Sequence, residues 1–165
     1  MAKQKIAIDI CNTIADVNAA VERLTGIKPD VYPAPGLNPD WFTRHLEVFS
    51  MAPPIPYSRA ALLFLAQIYD IVYVTARPEE ANQITKEWLC TYGYPQGLVI
   101  HTNDKPFVFR AFDMQFAIDN APAEIRRYHD AGIPYLTRAT DYNTGCLNRF
   151  EWKYFPFVSR QKAGY

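Results

Sequence analysis

The sequence predicts an α/β fold: a doubly wound, mostly parallel sheet of Rossmann-like type with a small helical insertion. Four short apolar runs, at 5–10, 71–75, 97–101 and 115–119, carry a polar residue at or next to their last position, and a further short strand follows at 134–138. Continuous apolar runs of this length are typical of strands covered on both faces. Helical patterns separate the later runs, and strands that alternate with helices pair in parallel.

Three helices are expected between these strands. The segment 58–69 has strong helix formers and a serine, Ser58, as its N-cap candidate. The segment 78–92 opens with a proline and acidic residues and stops at Gly93, an order that suits the two ends of a helix. The segment 121–131 is followed by Gly132, a plausible C-cap.

The segment from about 16 to 56 interrupts this rhythm and is expected to be a cap insertion within one domain, 1–165. It is rich in proline and carries helix candidates at 16–24 and 39–49. Its aromatic residues could stack a base or form the small core of the insertion itself. They are Trp41, Phe42, Phe49 and Tyr57. The final stretch, 148–165, is aromatic and basic and has no clear period.

Composition excludes several classes of protein. The 165 residues include 17 Lys plus Arg and 17 Asp plus Glu, so no net charge favours polymeric nucleic acid or an anionic membrane. No apolar run approaches the roughly 18 residues of a membrane span, and no signal peptide is recognised. The three cysteines form no CxxC pair, so neither a disulfide framework nor a zinc site is indicated and a reducing cytoplasm is expected.

Polar residues follow the predicted strands where a parallel sheet places its ligand site. Asp9, Thr75 and Asp119 stand at strand ends, and Lys105 lies just beyond the strand that ends at His101. Since ligands of such sheets bind outside the carboxyl ends of the strands, these side chains are candidates for one site. A carboxylate at a strand tip can attack phosphorus, and a cation must then offset its repulsion with the phosphate.

Four stretches occur in the order "IAIDICNTIAD", "VYVTARP", "NDKPFVFR" and "FAIDNAP". They resemble the four motifs of the haloacid dehalogenase (HAD) superfamily of phosphatases, and the resemblance runs from residue 5 to about 124. Within it, "PPIPYSRAALLFLAQIYDIVYVTARP" and "ITKEWLCTYGYP" look most like the 5'(3')-deoxyribonucleotidases. The short insertion between the first two motifs is also similar to that family.

The resemblance implies roles for individual residues. Asp9 would be the nucleophile that forms an aspartyl-phosphate, and Lys105 would stabilise nucleophile and phosphate. Substrate would be bound by Thr75, Ala76, Arg77 and Lys105. A Mg²⁺ ion would be held by Asp9, the backbone carbonyl of Cys11, Asp119 and Asn120, with Asp119 as ligand or as support.

Cys11 departs from the resembled pattern, which has the general acid/base aspartate at this position. A free thiol has a pKa near 8.5 against about 3.9 for aspartate, so slow turnover is expected. The expected function is a Mg²⁺-dependent phosphomonoester hydrolase of 5'(3')-nucleotidase type, with a small phosphorylated molecule, a nucleotide by resemblance, as substrate. The alternatives are an impaired module that binds Mg²⁺ and a phosphorylated ligand, and a scaffold without a ligand site.

Overall fold

The computed structural model describes residues 2–155 and contains one six-stranded sheet in the order β3-β2-β1-β4-β5-β6, with every neighbouring pair parallel. The strands are β1 Gln4–Ile8, β2 Tyr69–Thr75, β3 Leu98–His101, β4 Met114–Asp119, β5 Tyr135–Arg138 and β6 Arg149–Phe150. The predicted α/β class and parallel sheet are confirmed. The first strand ends two residues earlier than expected, so Asp9 lies just past it.

Seven α-helices accompany the sheet in this part of the chain: α1 Val17–Thr25, α2 Pro39–Arg44, α3 Glu47–Met51, α4 Ser58–Ile68, α5 Asn82–Thr91, α6 Lys105–Ala111 and α7 Pro122–Asp130. Ser58 is not the N-cap of α4, because Tyr57 holds that position in a left-handed conformation with φ 68°. The segment predicted to be helical from 78 begins as a 3₁₀ turn, Glu79–Ala81. Helix α6 was not predicted.

Alternating residues of the strands build two separate cores, as expected for a sheet covered on both faces. On one face, Ile6 and Ile8 of β1 pack with α1, α3, α4 and α5. On the other face, Ala7 of β1 packs with residues of α6 and α7. The segment 16–56 contributes to the first core, since Val48 and Phe49 are buried in it. That this segment, called the insertion below, acts as a cap stays a prediction.

The insertion enters and leaves the sheet layer through one paired stem. Ala15 forms an antiparallel bridge with Pro54, and the N–H of Asp16 donates to the carbonyl of Pro53 at 2.8 Å. Asp16 also caps α1, because its carboxylate accepts from the N–H of Ala19 at 2.9 Å. The helix predicted at 39–49 is two helices, separated at His45 and Leu46.

The final stretch, 148–165, for which the sequence shows no clear period, contributes a strand and a packed turn within residues 148–155. After β6, a 3₁₀ turn at Trp152–Tyr154 brings Trp152 and Phe155 into contact with the ring of Phe150. All three rings are buried. Residues 156–165 of that stretch lie outside the described residues. Within residues 2–155, no helix combines the length and apolar character needed to cross a bilayer.

Candidate active site

The carboxyl edge of the sheet opens into a cavity of about 740 Å³. Seven of the eight site residues proposed from the sequence line it: Asp9, Cys11, Thr75, Ala76, Arg77, Lys105 and Asn120. Asp9 follows β1, Thr75 ends β2 and Lys105 begins α6, so three separate elements converge. Asp119, the last residue of β4, is fully buried beside them.

Lys105 joins two carboxylates at the base of the cavity. Its Nζ donates to Oδ1 of Asp9 and to Oδ2 of Asp119, each at 2.7 Å, and all three side chains are buried. Burial raises the pKa of Asp9 to about 6; the nearby Asp119 adds to this, and Lys105 opposes it. Burial alone would lower the pKa of Lys105, but the two carboxylates outweigh it and hold that pKa well above its usual range. Lys105 is therefore a fixed positive charge.

Both oxygens of Asp119 are occupied in this arrangement. Oδ2 accepts from Lys105, and Oδ1 accepts from the N–H groups of Asn120 and Ala121, at 2.8 and 3.0 Å. Asp119 therefore holds the lysine and the start of the segment that carries Asn120. Its role as a direct metal ligand stays a prediction.

Oxygen atoms gather between Asp9, Cys11 and Asn120. The amide atom of Asn120 on this side lies 2.8 Å from the carbonyl oxygen of Cys11, 3.3 Å from Oδ2 of Asp9 and 3.0 Å from Oγ1 of Thr13. With nitrogen at that position, the amide donates to these oxygens. With oxygen there, it faces the carbonyl oxygen of Cys11 and Oδ2 of Asp9, and the one hydroxyl hydrogen of Thr13 can serve only Asp9 or Asn120. A cation would then offset the repulsion between these oxygens.

The spacing of this oxygen cluster fits Mg²⁺. An octahedral ion with oxygen ligands at 2.0–2.1 Å places adjacent ligands about 3 Å apart, leaving further positions for water and substrate. No group of three or more His, Cys, Asp or Glu side chains that could hold a metal is found among residues 2–155. One carboxylate, one backbone carbonyl and one amide are nevertheless a donor set that suits this hard cation.

Cys11 contacts a guanidinium, an environment that the motif spacing did not reveal. Nε of Arg77 donates to Sγ of Cys11 at 3.2 Å, and Nη1 of Arg77 donates to Oγ1 of Thr85 at 3.0 Å. The guanidinium carbon also lies 4.4 Å from the ring centre of Phe49, and Nη2 is buried without a hydrogen-bond partner. Burial raises the pKa of the Cys11 thiol despite the opposing charge of Arg77, so the sulfur is protonated at neutral pH.

Three further residues complete the site, and sequence reasoning assigned them no role. Oγ1 of Thr13 donates to Oδ2 of Asp9 at 2.7 Å. Trp152 supports the same loop, because its Nε1 donates to the carbonyl of Thr13 at 2.7 Å. The hydroxyl of Tyr142 contacts the side-chain amide of Asn120. Thr13 could have been found from its place in the quoted first motif, whereas nothing in the sequence indicated Tyr142 or Trp152.

The segment between β1 and α4 contributes to the wall of the cavity. Tyr32, Phe42 and Phe49 line it, whereas Trp41 and Tyr57 do not. Trp41 instead packs against the ring of Phe42, and Tyr57 is exposed. The aromatic residues of the insertion thus divide between the cavity wall and packing elsewhere, and stacking of a base on the first group stays a prediction.

His101, for which the sequence suggested no partner, also lines the cavity. Its Nδ1 lies 3.0 Å from the carbonyl oxygen of Arg77, while Nε2 is buried without a hydrogen-bond partner. Because the carbonyl can only accept, Nδ1 carries the hydrogen in this contact, and Nε2 is left as an acceptor when the ring is neutral. His129 is exposed beside Asp130, away from the cavity.

Known structures share this fold at low sequence identity. A haloacid dehalogenase-like protein of unknown function from Agrobacterium tumefaciens matches 98% of this chain and 100% of its own, with a TM-score of 0.67 and 11% identity. A HAD-superfamily hydrolase from Geobacter sulfurreducens matches 94% and 96%, with a TM-score of 0.62 and 12% identity. A HAD family enzyme from Bacteroides thetaiotaomicron, a magnesium complex, matches 87% and 97%, with a TM-score of 0.52 and 13% identity. The chain therefore has the HAD-like, Rossmann-type α/β fold that these structures share.

Sequence comparison adds one relative. A Bacillus cereus protein described as "Putative nucleotidase" is 27% identical over an alignment of 105 residues that covers 58% of this chain. This chain spans about half the length of that relative, 53%. No protein-family model matches the chain.

Proposed function

We propose that this chain is a Mg²⁺-dependent phosphomonoester hydrolase of nucleotidase type that acts through an aspartyl-phosphate on Asp9. The convergence of Asp9, Lys105 and the oxygen cluster at one end of the cavity carries the proposal. A buried carboxylate held by a fixed cation, beside a site that suits Mg²⁺, is the arrangement that phosphoryl transfer requires.

In the proposed reaction, a carboxylate oxygen of Asp9 attacks the phosphorus atom. The bond from phosphorus to the leaving oxygen breaks, and that oxygen departs with the electron pair and takes up a proton from solvent water. Water then attacks the same phosphorus, the bond from phosphorus to Asp9 breaks, and inorganic phosphate, a free carboxylate and a proton result. Lys105 offsets negative charge throughout, and Thr13 holds the second oxygen of Asp9.

The cation would be held by Asp9, the carbonyl oxygen of Cys11 and Asn120. When bound, Mg²⁺ supplies charge that lets a carboxylate approach a phosphate. The phosphoryl group is proposed to be bound by Thr75, Ala76 and Arg77, which line the same cavity. Thr75 is fully buried at the end of β2.

A nucleotide is the proposed substrate. The description of the Bacillus cereus relative supports it, and so do the cavity volume of about 740 Å³ and the aromatic wall formed by Tyr32 and Phe42. A cavity of this size accepts a small molecule, and aromatic faces stack on bases of any sequence. Neither polymeric nucleic acid nor a membrane is proposed as a partner.

The test is Mg²⁺-dependent release of phosphate from a panel of nucleoside monophosphates and other small phosphomonoesters. We expect release by the native chain and none above background by Asp9→Asn. Asp70→Asn is the matched control, because Asp70 lies at the opposite end of β2 and the substitution makes the same chemical change. Release that is equal in the native chain and Asp9→Asn refutes the proposal.

The second candidate is a module that binds Mg²⁺ and a phosphorylated ligand without turning it over. The contact between Cys11 and Arg77 favours it, because a neutral thiol beside a guanidinium stands where the resembled pattern has an ionisable carboxyl group. Calorimetry that shows Mg²⁺-dependent nucleotide binding, with no phosphate released on long incubation, selects this candidate over the hydrolase.

A further inference from the structure

Tyr142 is tied closely to Asn120 although the two lie on different segments. Tyr142 belongs to the 3₁₀ turn Asp141–Asn143, in which Asn143 accepts from the N–H of Thr140 at 2.9 Å. Nδ2 of Asn143, a buried residue, donates to the backbone carbonyl of Asn120 at 2.9 Å and to that of Arg138 at 2.8 Å. The turn thus holds the Tyr142 hydroxyl against the side-chain amide of Asn120.

The contact between Tyr142 and Asn120 can be made in two ways. When the amide nitrogen faces Cys11 and Asp9, its oxygen faces Tyr142, and the hydroxyl must donate to it. When the amide oxygen faces Cys11 and Asp9, as a cation requires, the nitrogen donates to Tyr142 and the hydroxyl accepts. A phenol serves in either role, whereas a group that only donates or only accepts serves in one.

The two states leave the hydroxyl hydrogen of Tyr142 in different places. In the first state Asn120 takes it. In the second state Asn120 does not accept this hydrogen, and the acceptors left for it are the neighbouring side chain of Thr140 and a ligand in the cavity. Tyr142 lines the cavity together with Asp9, Thr75 and Lys105. Its ring stacks on Tyr32 of the insertion, with ring centres 5.7 Å apart, so the side chain is held at this wall.

We propose that Tyr142 is a ligand-binding residue whose hydroxyl donates to a phosphoryl oxygen only when Asn120 has turned its amide oxygen toward Mg²⁺. The inference rests on the proposed function and deepens it. It assigns to Tyr142 a hydrogen bond that couples binding of the cation to binding of the phosphorylated ligand.

The test compares the affinity for inorganic phosphate of the native chain and Tyr142→Phe, each with saturating Mg²⁺ and each without the metal. NMR titration is suitable because it measures weak binding. We expect Tyr142→Phe to weaken phosphate binding about three- to tenfold in the presence of Mg²⁺, the loss of one hydrogen bond, and to leave it unchanged without the metal. The substitution keeps the ring that stacks on Tyr32. Tyr57→Phe, at an exposed tyrosine outside the cavity, is the matched control and should match the native chain.

Two other outcomes overturn the inference. Equal loss of affinity with and without Mg²⁺ means that the contribution of Tyr142 does not depend on the orientation of the Asn120 amide. No loss in either condition means that its hydroxyl does not touch the ligand. Both outcomes leave the proposed hydrolase standing, because the native chain still binds phosphate with Mg²⁺. A native chain that binds neither phosphate nor Mg²⁺ overturns the inference and the proposed function together.

Discussion

Replacing Lys105 by methionine removes the one charge that Asp9 and Asp119 share. Methionine keeps most of the length of the side chain, so the main change is electrostatic. Removing one partner of a buried ion pair costs about 3–5 kcal/mol, and here two buried carboxylates lose the same cation. For a chain of this size that cost lowers the unfolding temperature by roughly 6–20 °C.

The loss of stability in Lys105→Met should depend on pH. The pKa of Asp9 is already raised to about 6, and Lys105 is the main group that holds it down. Its removal raises that pKa further above the unfolded value of 3.8. A carboxyl group whose folded pKa is raised stabilises the fold below the unfolded pKa and loses that contribution as pH rises through the folded value. The difference in stability between native chain and variant should therefore widen as the pH rises above about 6, the pKa of Asp9 in the native chain.

The difference in stability between the native chain and Lys105→Met is measured by thermal unfolding in the presence of a chelator, followed by circular dichroism at several pH values. Lys86→Met, at an exposed position on α5, is the matched control and should unfold with the native chain. A gap in Lys105→Met of less than about 1 kcal/mol, or one that is equal at both ends of the pH range, would refute the electrostatic reasoning.

Three further predictions follow from single contacts. Cys11→Asp should raise phosphate release, by up to about 10²–10⁴-fold if proton transfer is what the thiol lacks, and Cys11→Ala should not raise it. Trp152→Phe should destabilise the chain by about 1–3 kcal/mol in denaturant unfolding, because the carbonyl of Thr13 loses its buried donor. Gly97→Ala should destabilise it by about 1–3 kcal/mol or more, because a Cβ there would lie 2.3 Å from the carbonyl oxygen of Ile71.

Each of these predictions has an outcome that contradicts it. A lower rate in both Cys11 variants means that the thiol takes part in the chemistry. Trp152→Phe with native stability means that water replaces the indole donor. Gly145→Ala is the control for Gly97→Ala, since no atom lies within 4 Å of a Cβ added at Gly145. Equal unfolding midpoints for the two alanine variants argue against the steric reasoning.

The strands could be predicted because burial on both faces leaves a local signature, a continuous apolar run. Helix α6 has only seven residues, too few to show a period, and it was missed. Its start is set by Asp104, whose carboxylate accepts from the N–H of Phe107 at 3.3 Å. The insertion helix predicted at 39–49 shows the same limit, because its break at His45 and Leu46 depends on how two short segments pack.

The sequence predicts those site residues that lie at the end of a strand or within one of the four quoted motifs. Asp9, Thr75, Lys105 and Asn120 were placed in this way, and the structure brings them to one cavity. The contact of Trp152 with Thr13 joins residues 139 positions apart and has no local signature. The contact of Tyr142 with Asn120 also has no local signature, because it depends on the 3₁₀ turn that the side chain of Asn143 stabilises.

The paired stem at Ala15 and Pro54 makes the insertion an exchangeable unit. Its two ends are hydrogen-bonded neighbours, so a shorter or longer segment could join them without moving the end of β1, where Asp9 lies. Changes in substrate preference can then come from replacing one continuous stretch of sequence, provided that it restores the apolar cover supplied by Val48 and Phe49. Grafting insertions of different length onto this stem is therefore a route to new specificities on an unchanged sheet.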